Sequence, residues 1–338
     1  MKKPATIEMI EVPVPFSPGT TNCYFIPGST PTLIDPGVYS PEAFKRLQSG
    51  LRELGADIAD IERIILTHGH ADHAGLAGAV AALGRAAVFV HRREEERMLV
   101  WSEKVRKQKA EGFHDFFGQA GVSQNIAAKA TRVLLDRFRR NFSPISEMVF
   151  LQGGELLSFD QFELRVLHTP GHTAGSICLF DDSQGLLFAG DSLHAKIVPY
   201  ISTECEAPVG EPAYFALEQY LETLEVLGAL PARCALPGHG PRSLRPGELI
   251  GRLKRNRARR RQRIVEILQS GTPWMSQFAI LERMFLGAAA AGVLYMGISE
   301  VRGCLEVMEK EGLVAAVVDG GPKLYRLNGQ NPARQEAN

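Results

Sequence analysis

The chain has 338 residues, 45% of them apolar, which is enough to bury a large core; a folded chain is expected rather than a disordered one, as one large domain with a smaller companion. Lys plus Arg and Asp plus Glu both total 38, so no net field draws the whole protein to nucleic acid or anionic lipid, and any such contact must be local. Early Pro4, Glu8, Glu11 and Pro13, an apolar stretch at 285–296 too short to span a bilayer, and the scattered Cys23, Cys178, Cys205, Cys234 and Cys304 predict a cytoplasmic protein without signal peptide, membrane segment or disulfide framework.

From residue 7 to 35, short strands alternate with Pro and Gly punctuation, most clearly at 22–26 and 32–34. Phe44, Leu47, Leu51 and Leu54 stand at helical spacing, predicting a helix over 41–54; a strand at 63–66 then feeds a loop at 67–73. An Ala-rich helix over 74–83 and a buried strand over 87–90 complete an α/β alternation. Between about 93 and 142 the pattern turns helical and charged, interrupted at Gly112, Gly118 and Gly121, and reads as an inserted helical lid. Phe113, Phe116, Phe117 and Phe138 could face a substrate there, although aromatic residues at helical spacing more often pack core. Strands follow at 148–151, at 155–167 around a turn at Asp160-Gln161, at 176–180 and at 186–189; an amphipathic helix at 214–227 and a short strand at 234–236 come next. Two β-rich halves with helices between them predict an α/β fold of the αββα sandwich type over residues 1–245.

After Pro246 a long helix carries Arg252, Lys254, Arg255, Arg257, Arg259, Arg260, Arg261 and Arg263 with no acid among them. Helices at 274–286 and 298–311, then strands at 313–318 and 323–327 around Asp319-Gly320-Gly321-Pro322, predict a winged-helix-like domain over 246–328. Residues 329–338 are polar and read as a frayed tail.

The densest chemical signal is Thr67-His68-Gly69-His70-Ala71-Asp72-His73, where Gly69 and Ala71 leave room for His68, His70, Asp72 and His73 to converge. A lone histidine is usually a satisfied structural residue, but a His/Asp cluster after a buried strand is hard to explain as packing. Imidazole and carboxylate together are what zinc-type sites use.

These residues resemble the H-x-H-x-D-H motif of the metallo-β-lactamase superfamily position by position. His172 in Thr169-Pro170-Gly171-His172-Thr173, Asp191 in Ala189-Gly190-Asp191-Ser192, His239 in Pro237-Gly238-His239-Gly240 and Asp35 in Leu33-Ile34-Asp35-Pro36-Gly37 match the family's other motifs in the expected order. The resemblance covers residues 4–245, and the joint order makes it far more specific than any single motif. It implies an αββα metallo-β-lactamase sandwich in which His68, His70 and His172 bind one metal, Asp72, His73 and His239 bind a second, and Asp191 bridges the two. A shared carboxylate holds two such ions about 3.5 to 4 Å apart around one hydroxide, which attacks a carbonyl or phosphorus. Asp72 could also orient that nucleophile. The His-rich set favours two Zn2+ ions, with Fe2+ or Mn2+ able to take the same ligands. Flavodiiron-type relatives carry a Glu two positions before the motif's Asp; this chain has His70 there, which favours hydrolysis over oxygen reduction.

Asp35 would hold a ligating histidine from behind, a plain turn role being the alternative. His168, off the family pattern, reads as packing. His194, Lys196 and Tyr200, on the loop after Asp191, are candidates to grip substrate. The Gly171-His172-Thr173 and Gly190-Asp191 pattern is similar to glyoxalase II-like and lactonase-like members, implying a dinuclear hydrolase of an ester, thioester or lactone with a small-molecule acyl substrate. The C-terminal segment resembles the tail of the β-lactamase-like protein 2 branch, which implies the alternative of a phosphodiesterase or endoribonuclease acting on RNA. Glu300, Glu306, Glu309 and Glu311 on the would-be recognition helix oppose sequence-specific DNA reading. A non-enzymatic binding module with structural metal fits less well, because structural zinc closes its tetrahedron with four ligands. A homodimer is left open.

Overall fold

The computed structural model describes residues 7–99, 102–202, 214–270, 272, 274–285 and 291–329. The expected tail beyond 329, Cys205, the segment 286–290 and the Phe138 side chain lie outside the described residues. A first sheet has six strands in chain order: β1 (Glu8–Pro13), β2 (Thr20–Ile26), β3 (Thr32–Ile34), β4 (Arg63–Ile65), β5 (Ala87–His91) and β6 (Val149–Leu151). It is antiparallel from β1 to β3 and parallel from β3 onward. A second sheet runs β7 (Leu156–Ser158), β8 (Glu163–His168), β9 (Ile177–Asp181) and β10 (Leu186–Gly190), all antiparallel, with β11 (Cys234–Pro237) parallel on the far side of β10.

Helix α1 (Pro41–Glu53) starts where the Ser40 hydroxyl accepts the Ala43 N–H at 3.1 Å and Pro41 presets the first turn. The Ala-rich segment forms two helices rather than the one expected, α2 (Ala71–Ala74) and α3 (Ala77–Gly84). Another stretch of chain crosses at the break. A Cβ at Gly75 would stand 2.3 Å from the Asn141 carbonyl oxygen and 2.5 Å from the Tyr39 nitrogen. Asp72 and His73 therefore sit on a single helical turn, not in an open loop.

After α4 (Glu95–Met98), the insertion consists of α5 (Glu103–Ala120) and α6 (Gln124–Arg140). Gly112 and Gly118 do not interrupt α5; it ends only at Gly121, whose φ of 85° is the left-handed cap that glycine adopts freely. Phe113, Phe116 and Phe117 are buried in the core and face no substrate. Helices α7 (Ala216–Ala229), α8 (Pro246–Ser270), α9 (Gln277–Met284) and α10 (Ala291–Lys310) follow, with β12 (Met275–Ser276), β13 (Val314–Val317) and β14 (Leu324–Leu327) in a small antiparallel sheet of order β12-β14-β13. Helix α10 begins earlier than its sequence pattern suggests, which makes Tyr295 and Met296 helical. Phe285, the first residue of the apolar stretch at 285–296, is 41% exposed and lies just past the end of α9. Among the described residues no helix is long and apolar enough to cross a membrane.

Alternation along the strands sorts side chains into three cores. Ile64 and Leu66 pack with Leu47 and Leu51 of α1 and Val80 of α3, whereas Ile65 turns the other way to meet Leu179 and Phe188 between the sheets. On the outer face of the second sheet Cys178, Phe180 and Leu187 join Leu224 of α7, Leu253 of α8, Phe117 of α5 and Ile298 of α10. Both sheets are thus covered on both faces, giving the αββα sandwich, and the insertion and C-terminal helices share a core with it. Cys23, Cys178, Cys234 and Cys304 are buried, unpaired thiols.

Candidate metal centre

The loops at one end of the two sheets carry the chemistry. Asp35, just after β3 and at φ 55°, accepts the Thr67 N–H at 2.8 Å and the Thr67 hydroxyl at 2.6 Å; its Oδ2 also lies 2.9 Å from His73 Nδ1. One buried carboxylate thereby fixes the start of the histidine segment and turns His73 so that Nε2 faces inward.

Two ligand-competent groups face each other. His68, His70, His172 and Asp191 form one and Asp72, His73 and His239 the other, with the donor atoms of each within 4.8 Å of one another. His172 Nε2 is 2.9 Å from His70 Nδ1 and 3.2 Å from His68 Nε2; His73 Nε2 is 3.2 Å from His239 Nε2. Asp191 lies between the groups, with Oδ2 3.4 Å from His172 Nε2 and Oδ1 3.3 Å from His73 Nε2. A third grouping, Asp35 with His68 and His73, is already committed through the Asp35 contacts above.

Every histidine in the two groups is held from its far side. His68 Nδ1 meets the Thr67 hydroxyl at 3.1 Å, His70 Nε2 the Tyr200 hydroxyl at 2.8 Å, His172 Nδ1 the Tyr200 carbonyl at 3.0 Å, His239 Nδ1 the Thr20 carbonyl at 2.5 Å, and His73 Nδ1 meets Asp35. Such outer contacts fix tautomer and ring orientation in metal sites. The inward imidazole nitrogens point at one another, and buried Asp191 Oδ1 has no hydrogen-bond partner among the described residues. A Cβ at Gly238 would come within 2.5 Å of both Asp191 Oδ1 and His73 Cε1, so glycine keeps this space open. A mixed imidazole and carboxylate donor set of this kind suits divalent transition ions.

The electrostatics differ between the two groups, and nearby carboxylates raise His73 and His239. Burial pushes His172 down to about 3 and holds His68 well below the usual imidazole range, helped there by the neighbouring His73 and His70, so both present neutral lone pairs. Burial also opposes charge on His73, but Asp191, Asp35 and Asp72 outweigh it and raise the pKa well above the ordinary value. For Asp72 burial is likewise outweighed, by His73 and His239, and its carboxyl is held below the usual carboxylate range.

A cavity of about 260 Å3 opens on this centre, bounded by Asp72, His172, Asp191 and His239 on one side and by Leu134, Arg137, Ile197, Tyr295 and Met296 on the other. His194 lines it, with Nε2 3.4 Å from Asp191 Oδ1 and its ring stacked on His239. Tyr200 lines it too, acting on His70 and His172 as described. Lys196 is exposed and is not among the lining residues. His168 packs: its Nε2 meets the Ala174 carbonyl at 2.9 Å and its ring stacks on His91.

Several contributors have no motif. Glu94 is buried beneath the metal loops, Arg137 of α6 enters the cavity, and Arg252 and Arg257 of α8 donate to the His194 and Pro199 carbonyls, bracing the loop that carries Tyr200. Arg257 and Arg260 pair with Glu300, Arg261 with Glu311, Arg263 with Glu266 and Lys254 with Glu225.

This fold, with its histidine and aspartate groups at the sheet ends, defines a metallo-hydrolase, and the chain belongs to the metallo-β-lactamase superfamily, whose profile matches residues 16–239. Among individual proteins it is similar to the probable metallo-hydrolase YqjP of Bacillus subtilis (strain 168), at 27% identity over 94% of this chain and 96% of that one. It is also similar to the crystal structure of the metallo-beta-lactamase family protein TTHA1429 from Thermus thermophilus, with a TM-score of 0.82, 27% identity, and coverage of 95% and 98% of the two chains. A shorter likeness, 30% identity over 28% of this chain and 32% of the other, links it to the human acyl-coenzyme A thioesterase MBLAC2.

Proposed function

We propose that the chain is a hydrolase of a small ester, thioester or lactone whose two ligand groups hold a pair of divalent ions, Zn2+ before Fe2+ or Mn2+, with Asp191 bridging them. The observation that carries this reading is the position of Asp191, whose carboxylate reaches histidines of both groups at 3.3 and 3.4 Å on the floor of a small, largely apolar cavity. Bound ions would supply Lewis acidity and an acidified water. Asp72 Oδ2 faces His239 at 3.3 Å. The same carboxylate borders the cavity, where it would orient the attacking water. The outer contacts of Asp35, Thr67, Tyr200 and Thr20 would orient the rings so that, with ions bound, the inward nitrogens serve as ligands. The apolar wall excludes bulk water and receives the acyl group.

The likeness to an acyl-coenzyme A thioesterase supports an acyl substrate, and the lid reading of residues 93–142 gives Leu134 and Arg137 a part in shaping its site. Residues 246–328 are read as a winged-helix-like unit whose α10 closes the cavity with Tyr295 and Met296. The alternative of an RNA-cleaving enzyme drew on the basic run of α8. Five of those eight cations pair with acids, Arg252 is spent on the loop carbonyl, and the cavity suits a small group better than an extended strand. A panel of thioesters, esters and lactones tested on metal-loaded protein, alongside single-stranded RNA, decides between them. Turnover of at least one acyl substrate supports the proposal; intact acyl substrates with cleaved RNA overturn it.

A further inference from the structure

We propose that Arg137 is a specificity-determining residue that captures a carboxylate on the acyl part of the substrate, so that the preferred substrates are acyl compounds bearing an anionic end. This rests on the hydrolytic reading above and narrows its substrate class.

Arg137 is the sole Lys or Arg among the described residues lining the cavity it shares with Asp72 and His172. Its Cζ stands over the Phe16 ring, 3.6 Å from the ring centroid. Stacking occupies one face of the group and leaves its N–H edge free, the geometry that pairs with a planar carboxylate. Half-buried Lys254 and Arg260 have carboxylates beside them, whereas among the described residues no acid forms an ion pair with Arg137. A partly desolvated guanidinium without a counter-ion is costly unless an anion arrives to pair with it. Burial lowers its pKa somewhat, opposed by the field of Asp72, yet a guanidinium remains charged at any working pH.

The remaining surface says what connects that anion to the reacting carbonyl. Leu134, Ile197, Val198 and Met296 line the same cavity with side chains that offer a carbon chain no hydrogen bond. A substrate with its scissile carbonyl at Asp72 and Asp191, a short methylene chain on this wall and a carboxylate on Arg137 would pair the guanidinium and bury the chain against apolar side chains. A neutral acyl chain of the same length would leave the guanidinium unpaired.

The test compares kcat/KM for two esters of matched length, mono-4-nitrophenyl glutarate and 4-nitrophenyl pentanoate, on fully metal-loaded protein. The wild-type chain should favour the anionic ester by about tenfold or more; that ratio should collapse toward one in Arg137→Gln and be partly retained in Arg137→Lys. Arg139→Gln, on the exposed side of the same helix, should keep the wild-type ratio. An equal ratio in wild type and Arg137→Gln overturns the assignment. Calorimetric titration with glutarate gives a readout independent of turnover: binding should weaken about tenfold or more in Arg137→Gln, and unchanged binding counts against the proposal. If neither ester is hydrolysed, the panel above decides the hydrolytic reading and the glutarate titration decides the role of Arg137. Should Arg137→Gln not fold, Phe16→Leu, which removes the stacking ring, takes its place with the same expected loss of preference.

Discussion

Glu94 accepts the backbone N–H of Gly69 on Oε2 at 2.9 Å, directly between the ligand candidates His68 and His70. Its Oε1 accepts the Gly175 N–H at 2.7 Å, three residues after His172, and Arg97 Nε supports the same carboxylate at 3.0 Å. One buried side chain thus ties together two loops that must converge on a metal. Glycine is required at both contacts, since a Cβ at Gly69 or Gly175 would come within 2.7 Å of the Glu94 side chain. In Glu94→Gln an amide N–H2 must face one of those N–H donors and Arg97 loses its counter-charge. We expect a stability loss of about 3 kcal/mol and a metal affinity lowered by roughly 10–100-fold. Denaturant melts and chelator competition measure both; unchanged metal affinity would remove Glu94 from this role.

Asp35→Asn isolates charge from conformation, because Asn tolerates the left-handed backbone that Asp35 adopts at φ 55°. The variant keeps an oxygen for the Thr67 N–H but no longer offers a carboxylate to His73. Metal affinity or turnover should fall roughly 10–100-fold with the fold retained. Wild-type metal affinity in a folded Asp35→Asn protein would show that Asp35 serves only the turn.

Arg257 and Glu300 form a pair that is 3% and 5% exposed, joining α8 to α10, and Arg257 also donates to the Pro199 carbonyl. Removing one partner strands a buried charge. Glu300→Gln should therefore cost about 3–5 kcal/mol, whereas replacing both residues by apolar ones of similar volume should cost much less. Equal losses in the single and double variants would contradict the buried-pair argument.

Acid should weaken the fold in a defined window. Burial, aided by the stacked His168, pushes His91 down to about 4, while the unfolded chain titrates it near its ordinary value of 6.5. Below 6.5 the unfolded state takes up a proton that the folded state refuses; stability is therefore fully present above that pH and falls until about 4. Urea melts between pH 7 and pH 4 should show a shallower decline for the non-titrating His91→Gln variant than for wild type. Parallel curves would place the acid sensitivity elsewhere.

What could be read from residues alone follows how local each signal is. His68, His70, Asp72 and His73 lie within six consecutive residues, and the motifs around His172, Asp191 and His239 carry glycines whose spacing is itself informative. Glu94 left no such trace, because its partners are backbone N–H groups that any residue carries and only the fold brings them near. Arg137 looked like one more charge on a lid helix; its place in the cavity depends on α6 packing beside α10 and on Phe16 arriving from the other end of the sequence. The cations of α8 stood in an acid-free run because Glu300, Glu311 and Glu225, which pair with them, are distant in sequence. Lys196, conversely, stood in the right loop for substrate binding, yet it is exposed and does not line the cavity.

Crystals of the metal-loaded protein, measured on both sides of the absorption edge of the bound ion, test the bridged pair directly. Two anomalous peaks should stand about 3.5 to 4 Å apart, one among His68, His70 and His172 and the other among Asp72, His73 and His239, with Asp191 touching both. A single peak closed by four protein ligands, or no peak at either group, would contradict it.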